Sequence, residues 1–325
     1  MILCDKRTHV QINRDASIEC YRVGLMFGIV VLHAMTQCGV CHRGLDNVLS
    51  TCVDSFVFIS GYYGIKFSWF KVIRLVAVGL YCATIVAVLS GCGVHGIIPI
   101  LARNDCYWFL WTYIACMMCS PIVNAGVDML VRSCGLRGVV PCVALVFGWS
   151  YLTIVPHVKE YIPIVNGFGS IGLVSMLGTY IAARVYRLAI EKRIDKPPIL
   201  CAISAACLPL IVIGFYHHNS PFTIAFVACV FSLVKRGRVP SAGMRLFSFI
   251  VPSLFSVYLL HANAWGFGVM KRLLVFLADY ISVPVYISYL LVALVMTFVC
   301  FCVDLLRRMF LYCGRWCLKE RCSRL

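Results

Sequence analysis

Apolar residues run through the chain in long, nearly continuous segments that short polar stretches separate. Each segment is close to the roughly 20 residues that a helix needs to cross a bilayer. The pattern predicts an all-α membrane protein, a polytopic bundle of about ten transmembrane helices. Because the connections are short, we expect a single transmembrane domain over residues 1–325. The predicted spans are 22–39, 48–66, 73–91, 106–125, 138–155, 167–188, 198–216, 221–235, 246–266 and 283–305.

The composition agrees with this interpretation. Apolar residues make up 62% of the 325 residues, the mean hydropathy is +0.91, and only 13% of the residues are charged. A soluble domain carries about 25% charged residues. These values exclude a water-soluble globular protein, and they argue against disordered, collagen-like or low-complexity material.

Basic residues outnumber acidic ones, 29 against 13, which gives a net charge of +16. Such an excess can indicate a nucleic-acid partner, so the positions of the charges matter. With the N-terminus placed inside, 24 of the 29 Lys and Arg residues fall on the cytoplasmic side of the spans. The positive-inside rule then predicts cytoplasmic termini and a basic cytoplasmic tail at 306–325. We expect the protein in the cell (inner) membrane. The charge thus indicates orientation and anionic lipid headgroups of the bilayer, and we expect no nucleic acid.

Most of the 20 cysteines are scattered within apolar spans, where a free thiol packs as a small hydrophobe. One group differs, because Cys38-Gly39-Val40-Cys41-His42 spells the attachment pattern of a c-type haem on the predicted outer side. The loop is too short to hold a haem domain. Coincidence is therefore the favoured interpretation, and a disulfide between Cys38 and Cys41 stays open. We expect no metal site and no bound cofactor.

Ionisable side chains inside spans are costly and therefore mark candidate functional sites. Arg22 and His33 lie eleven residues apart in the first span, on nearly the same helix face and about 16 Å apart along its axis. Asp54 lies well inside the second span, and His261 lies in the ninth. Counting residues along each span places the two histidines and Asp54 in the outer half of the bilayer.

Basic residues line the predicted inner rim below these groups. Lys71 and Arg74 are one helical turn apart at the start of the third span, on the same side of the membrane as Arg22. A basic mouth that leads to His and Asp side chains favours an anionic co-substrate from the cytoplasm and proton chemistry nearer the outside. The alternative is that the three basic residues only anchor the topology and that the histidines are structural.

At these positions the sequence resembles the acyltransferase 3 family of multi-spanning membrane proteins. Three stretches carry the resemblance in the same order and spacing, and the ten-span layout extends it over essentially the whole chain. Lys71 stands where the family typically has an arginine, and Ala262 stands where a proline often follows the late histidine. The stretches are Ser17-Ile18-Glu19-Cys20-Tyr21-Arg22 with Val30-Val31-Leu32-His33, Cys52-Val53-Asp54-Ser55-Phe56-Val57-Phe58-Ile59-Ser60-Gly61-Tyr62-Tyr63 with Lys71-x-x-Arg74, and Phe255-Ser256-Val257-Tyr258-Leu259-Leu260-His261.

The resemblance implies an integral membrane O-acyltransferase that uses acyl-CoA, with acetyl favoured by family habit. The acceptor would be a hydroxyl group of a cell-surface or lipid-linked polysaccharide, such as capsule, O-antigen or exopolysaccharide. Acetyl-CoA is then a co-substrate rather than a bound cofactor. Its phosphates would bind Arg22, Lys71 and Arg74, and its pantetheine arm would pass Ser60 and Gly61.

The resemblance and the depth of the residues together suggest the catalytic groups. His33 would act as general base on the acceptor hydroxyl. Asp54 would orient or charge the imidazole of His33, a role that we infer from its depth alone. Tyr258 and His261 would lie on the acceptor side.

Two other classes of protein stay open. Buried His and Asp side chains among ten helices would also suit a proton-coupled small-molecule transporter. Such folds often carry an internal repeat, and Leu32-His33-Ala34 recurs as Leu260-His261-Ala262. No basic residue stands eleven positions before the second histidine, however, so the motif does not repeat. The third class, a sensory or scaffold membrane protein, predicts that Arg22 and His33 tolerate substitution.

Overall fold

The computed structural model describes residues 16–37, 43–102, 107–154, 172–215, 220–238 and 240–323. Within these ranges all regular secondary structure is helical, and no strand occurs. The prediction of an all-α protein is therefore confirmed for this part of the chain. The α-helices are α1 Ala16–Gln37, α2 Arg43–Tyr63, α3 Trp69–Leu89, α4 Ile97–Ala102, α5 Trp108–Cys134, α6 Leu136–Ile154, α7 Gly172–Val185, α8 Glu191–Ile194, α9 Pro197–Leu210, α10 Pro221–Lys235, α11 Ser241–Ile250, α12 Leu254–His261, α13 Ala264–Asp279 and α14 Val285–Ser323.

Seven helical segments of the described chain are long and apolar enough to cross a membrane, which indicates a multi-pass membrane protein. The predicted spans 48–66, 138–155 and 221–235 coincide with α2, α6 and α10, which are helical but do not belong to those seven. Ten crossings and cytoplasmic termini therefore stay predictions. The seven segments are Ala16–Thr36, Trp69–Leu89, Trp108–Cys134, Gly172–Ile194, Pro197–Gly214, Gly243–His261 and Val285–Cys313.

The ninth predicted span, 246–266, is not one regular helix. Pro252 has no N–H group to continue an α-helical hydrogen-bond ladder, and the chain makes a 3-10 turn, Val251–Ser253, between α11 and α12. α12 ends at His261. Asn263 then caps α13, because its side-chain oxygen accepts a hydrogen bond from the Gly266 N–H at 3.0 Å. The sequence predicted a connection rather than a helix between the spans 246–266 and 283–305, and α13 shows that this prediction is wrong.

The last helix is longer than the last predicted span. α14 contains 39 residues, so it is about 58 Å long, whereas the hydrocarbon core of a bilayer is about 30 Å thick. The basic stretch that we predicted as a tail from residue 306 continues this helix as far as Ser323.

α1 lies at the centre of the bundle. It packs against α2, α10, α11, α12, α13 and α14. Val30, Ala34 and Met35 of α1 are completely buried in the main hydrophobic core. Gly28 permits a close approach to α2, since a Cβ atom there would lie 2.8 Å from Cys52 Sγ. Polar side chains on this helix are therefore held by packing on several sides.

Candidate active site

Two histidines from distant parts of the chain meet beside the core. The Nδ1 atom of His33, on α1, lies 3.0 Å from the Nε2 atom of His261, the last residue of α12. The Nδ1 atom of His261 in turn lies 2.6 Å from the main-chain oxygen of Val257, one helical turn earlier. The three groups form a continuous hydrogen-bonded chain.

The chain of hydrogen bonds assigns the ring protons. A carbonyl oxygen can only accept, so Nδ1 of His261 carries a proton and donates it to Val257. In a neutral His261 ring, Nε2 is then an acceptor, and Nδ1–H of His33 donates to it. The Nε2 atom of His33 keeps a lone pair and has no hydrogen-bond partner among the described residues. His33 is partly exposed, whereas His261 is completely buried.

The end of α12 is locked in place by Asn263. Its side-chain nitrogen donates to the main-chain oxygens of Leu259, at 3.1 Å, and Leu260, at 2.9 Å, which satisfies two carbonyls at the helix end. Gly266 follows closely, since a Cβ atom there would lie 2.4 Å from the His261 main-chain oxygen. This tight turn also brings the ring of Phe267 edge-on to His33, with 5.4 Å between the ring centroids. The imidazole pair therefore rests on a rigid frame.

Arg22 lines a cavity of about 270 Å³ that extends along α1 towards the histidines, called here the Arg22 cavity. Its wall includes Ile29, one helical turn before His33. Ser60 of α2 and Tyr258 of α12 also line it, and the remaining described wall is mostly apolar. The structure thus brings Arg22 and Ser60 to one cavity. Neither histidine lines this cavity, but the wall residue Tyr258 has its ring next to that of His261.

Glu19 holds Arg22 in position. The guanidinium Nη1 lies 3.3 Å from Glu19 Oε1, one turn earlier on α1. Glu19 is only 6% exposed, and its second carboxylate oxygen has no hydrogen-bond partner in the described part of the protein. Glu19 was not among the predicted site residues. Its spacing of three residues from Arg22 is a signal that could have identified the pair.

Lys71 and Arg74 line a second cavity of about 270 Å³, called here the Lys71 cavity. Both residues are exposed, and Lys71 Nζ donates to the main-chain oxygen of Lys66 at 2.9 Å. The two cavities share wall residues, namely Leu75, Tyr113 and Phe255. The three predicted basic residues therefore surround two adjoining spaces rather than a single one.

Gly61 is packed against a neighbouring helix. We expected the missing side chain to let a ligand approach α2. Instead, a Cβ atom at Gly61 would lie 2.4 Å from the main-chain oxygen of Tyr180, so this glycine permits close packing of α2 against α7. Ser60, the preceding residue, does face the Arg22 cavity, and its hydroxyl donates to the Phe56 main-chain oxygen at 3.1 Å.

Asp54 lies on the far side of α2 from α1. Cys52 of α2 faces Gly28 of α1, and Asp54, two residues later, is rotated by about 200° around the helix axis. The described contacts of the His33 ring are with His261 and Phe267. The structure therefore does not bring Asp54 to His33. His261 lies next to the His33 ring, in the position that we had expected for Asp54.

Tyr258 and His261, which we expected on the acceptor side, both contact neighbours of the site. Both ring nitrogens of His261 are engaged, one with His33 and one with Val257, so this ring has no atom left for an acceptor. Tyr258 lines the Arg22 cavity, and its ring lies edge-on to His261 with 6.0 Å between the centroids. Both residues lie close to His33, and their acceptor-side role stays a prediction.

The Cys38–His42 group lies outside the described residues. Within the described ranges no group of three or more His, Cys, Asp or Glu side chains is arranged to hold a metal ion.

A comparison with protein families identifies one match. The family model described as an acyltransferase domain matches residues 15–304, which is most of the chain and includes every residue of the site above. No curated protein and no solved structure matches the chain.

Proposed function

The chain belongs to the acyltransferase 3 family, and we propose that it transfers an acetyl group from acetyl-CoA to a hydroxyl group of a cell-surface or lipid-linked polysaccharide. In this proposal the protein lies in the cell membrane with both termini in the cytoplasm. The donor comes from the basic, cytoplasmic side and the glycan from the opposite side. The observation that carries the proposal is the hydrogen-bonded chain from His33 through His261 to Val257. Tyr258, which lines the Arg22 cavity, lies edge-on to the His261 ring of that chain.

The donor would use the two adjoining cavities. Arg22, Lys71 and Arg74 supply positive charge for the phosphates of acetyl-CoA through charge-assisted hydrogen bonds. Its pantetheine arm would lie in the mostly apolar Arg22 cavity, past Ser60. Arg22 and His33 are about 16 Å apart along α1, which is close to the length of that arm. The thioester would then end beside His33.

His33 would act as the general base. Its Nε2 lone pair takes the proton from the acceptor hydroxyl, while the hydroxyl oxygen attacks the thioester carbonyl carbon. When the resulting tetrahedral intermediate collapses, the carbon–sulfur bond breaks, and the imidazolium returns the proton to the departing CoA sulfur. Proton and charge balance over the step, and the products are the acetylated sugar and free CoA. His261 accepts a hydrogen bond from Nδ1–H throughout, so it stabilises the positive charge that develops on His33.

The proposal is tested by incubating the purified protein in nanodiscs with radiolabelled acetyl-CoA and a set of lipid-linked glycans. We expect label in one glycan and an acetyl ester in its mass spectrum. His95→Ala, which changes an exposed histidine away from the site, serves as the matched control for His33→Ala. Label transfer that survives His33→Ala would overturn the mechanism. Uptake of a solute by proteoliposomes, with no glycan labelled, would instead support the transporter.

A further inference from the structure

A third basic residue lines the Lys71 cavity, and it belongs to the predicted cytoplasmic tail, 306–325. Arg307 of α14 lines this cavity together with Lys71 and Arg74 of α3. The described wall contains no acidic side chain. Three basic side chains from two helices that are distant in sequence therefore line one small cavity. Among the described residues, no carboxylate pairs with Lys71 or Arg74.

The carboxylate of Asp304 pairs with Arg307 and orients its guanidinium group. Its Nε atom donates to Asp304 Oδ1 at 2.7 Å, and Asp304 is completely buried. The other carboxylate oxygen of Asp304 and the two terminal nitrogens of Arg307 have no hydrogen-bond partner within the described ranges. Burying a carboxylate is costly unless it is paired. Here the pairing orients the guanidinium while leaving its outer nitrogens available.

Arg307 supplies a hydrogen-bonding geometry that Lys71 lacks. A guanidinium presents parallel N–H donors that match two phosphate oxygens, whereas a lysine is a point charge without that geometry. Arg307 adds a second guanidinium to the same cavity, beside Arg74.

We propose that Arg307 binds a phosphate group at the nucleotide end of acyl-CoA and that Asp304 is the residue that positions it. This inference rests on the proposed function and names a further donor-binding residue for it. A phosphate in the Lys71 cavity would lie next to the Arg22 cavity, because the two share Leu75, Tyr113 and Phe255. The pantetheine arm would therefore continue from one cavity into the other.

Binding of CoA to the full-length protein in neutral detergent tests the inference, measured by calorimetry for the wild type and Arg307→Gln. We expect CoA to bind the variant roughly tenfold more weakly or worse, and pantetheine, which has no phosphate, to bind both proteins equally. Arg308→Gln removes the same charge one residue later and is the matched control. Arg308 donates to the Phe249 main-chain oxygen at 2.7 Å and is not part of the cavity wall. Arg307→Lys keeps the positive charge but lacks the parallel N–H donors of a guanidinium group, so we expect CoA to bind it with intermediate affinity. This variant replaces Arg307→Gln if Arg307→Gln does not fold.

The outcomes separate the inference from the proposed function. If the wild type does not bind CoA, the donor assignment fails and the inference falls with it. If the wild type binds CoA and Arg307→Gln binds it equally well, only the inference is overturned.

Asp304→Asn tests the positioning role. We expect this variant to weaken CoA binding, and we expect no further loss when it is combined with Arg307→Gln, because both changes remove one interaction. Independent, additive losses would contradict a positioning role for Asp304. A merely structural role for Asp304 would lower the melting temperature without this non-additivity.

A lipid headgroup offers the same phosphate chemistry, so the measurement is repeated in phosphatidylcholine nanodiscs with and without phosphatidylglycerol. We expect the Arg307→Gln effect on CoA binding in both membranes. An effect that appears only with the anionic lipid would identify a lipid site and overturn the proposal.

Discussion

His33 and His261 are 228 residues apart in sequence, and their ring nitrogens lie 3.0 Å apart. His261 is anchored by the Val257 carbonyl, so its ring orientation and its protonated nitrogen are determined by the backbone of α12. The ring of His33 on α1, the base of the proposed mechanism, is therefore held by a helix near the other end of the chain. This relationship leads to separate predictions for the two rings.

We expect His33→Ala to reduce acetyl transfer by about 10²–10⁴-fold, because general-base catalysis contributes that much. The KM for acetyl-CoA should change little, since the ring does not hold the donor phosphates. His95→Ala, measured in the same transfer assay, should behave as wild type.

His261 should affect the rate through His33 alone. His261→Leu removes the acceptor for His33 Nδ1–H, and we expect kcat to fall by about 10–100-fold, the usual cost of losing an orienting partner. His261→Gln retains an amide oxygen that can accept this hydrogen bond, so it should keep more activity. The pH profile of kcat is the deciding measurement. A profile that is unchanged in the Leu variant would mean that the pair does not set the properties of the base.

Arg22 should matter for both substrate binding and stability. Arg22→Gln removes a cation from the Arg22 cavity, and we expect the KM for acetyl-CoA to rise roughly 10–100-fold, as for the loss of a charge-assisted hydrogen bond. It also leaves Glu19 buried without its partner, so the melting temperature should fall.

The double variant Glu19→Gln, Arg22→Gln separates these two effects. Melting temperature should recover, because no buried carboxylate is left unpaired, while the raised KM should persist. Recovery of KM in the double variant would show that Arg22 acts only as the counter-ion of Glu19.

Gly61 should matter for folding and not for donor binding. Gly61→Ala places a methyl group 2.4 Å from the Tyr180 main-chain oxygen, and overpacking of this kind costs about 1–3 kcal/mol. The melting temperature should fall, with the KM for acetyl-CoA unchanged in the protein that folds. Gly126→Ala on α5 is the control, because nothing lies within 4 Å of a Cβ atom there. A raised KM without a loss of stability would restore the ligand-approach role.

Features that depend on one helix at a time could be predicted from the residues of that helix. Apolar runs longer than a bilayer core indicate membrane helices because an unsatisfied backbone is too costly in lipid. Arg22 and His33 share a face because a helix rotates each residue by a constant angle. The structure places Arg22 in the wall of the Arg22 cavity and His33 one helical turn after Ile29, another residue of that wall. Depth along a span could likewise be estimated by counting residues.

The tertiary structure decided which faces of different helices meet. The depths of Asp54 and His261 were estimated equally well from the sequence, yet only His261 reaches His33. The reason is the rotation of each helix about its own axis, which its packing against neighbouring helices sets and which residue counting does not specify. Close packing against Tyr180 gave Gly61 its role, and the pairing of Asp304 with Arg307 placed a basic residue of the predicted tail in the wall of a cavity. Chemistry that one helix carries could be predicted from its residues, whereas chemistry shared between helices depends on contacts that form only when the chain folds.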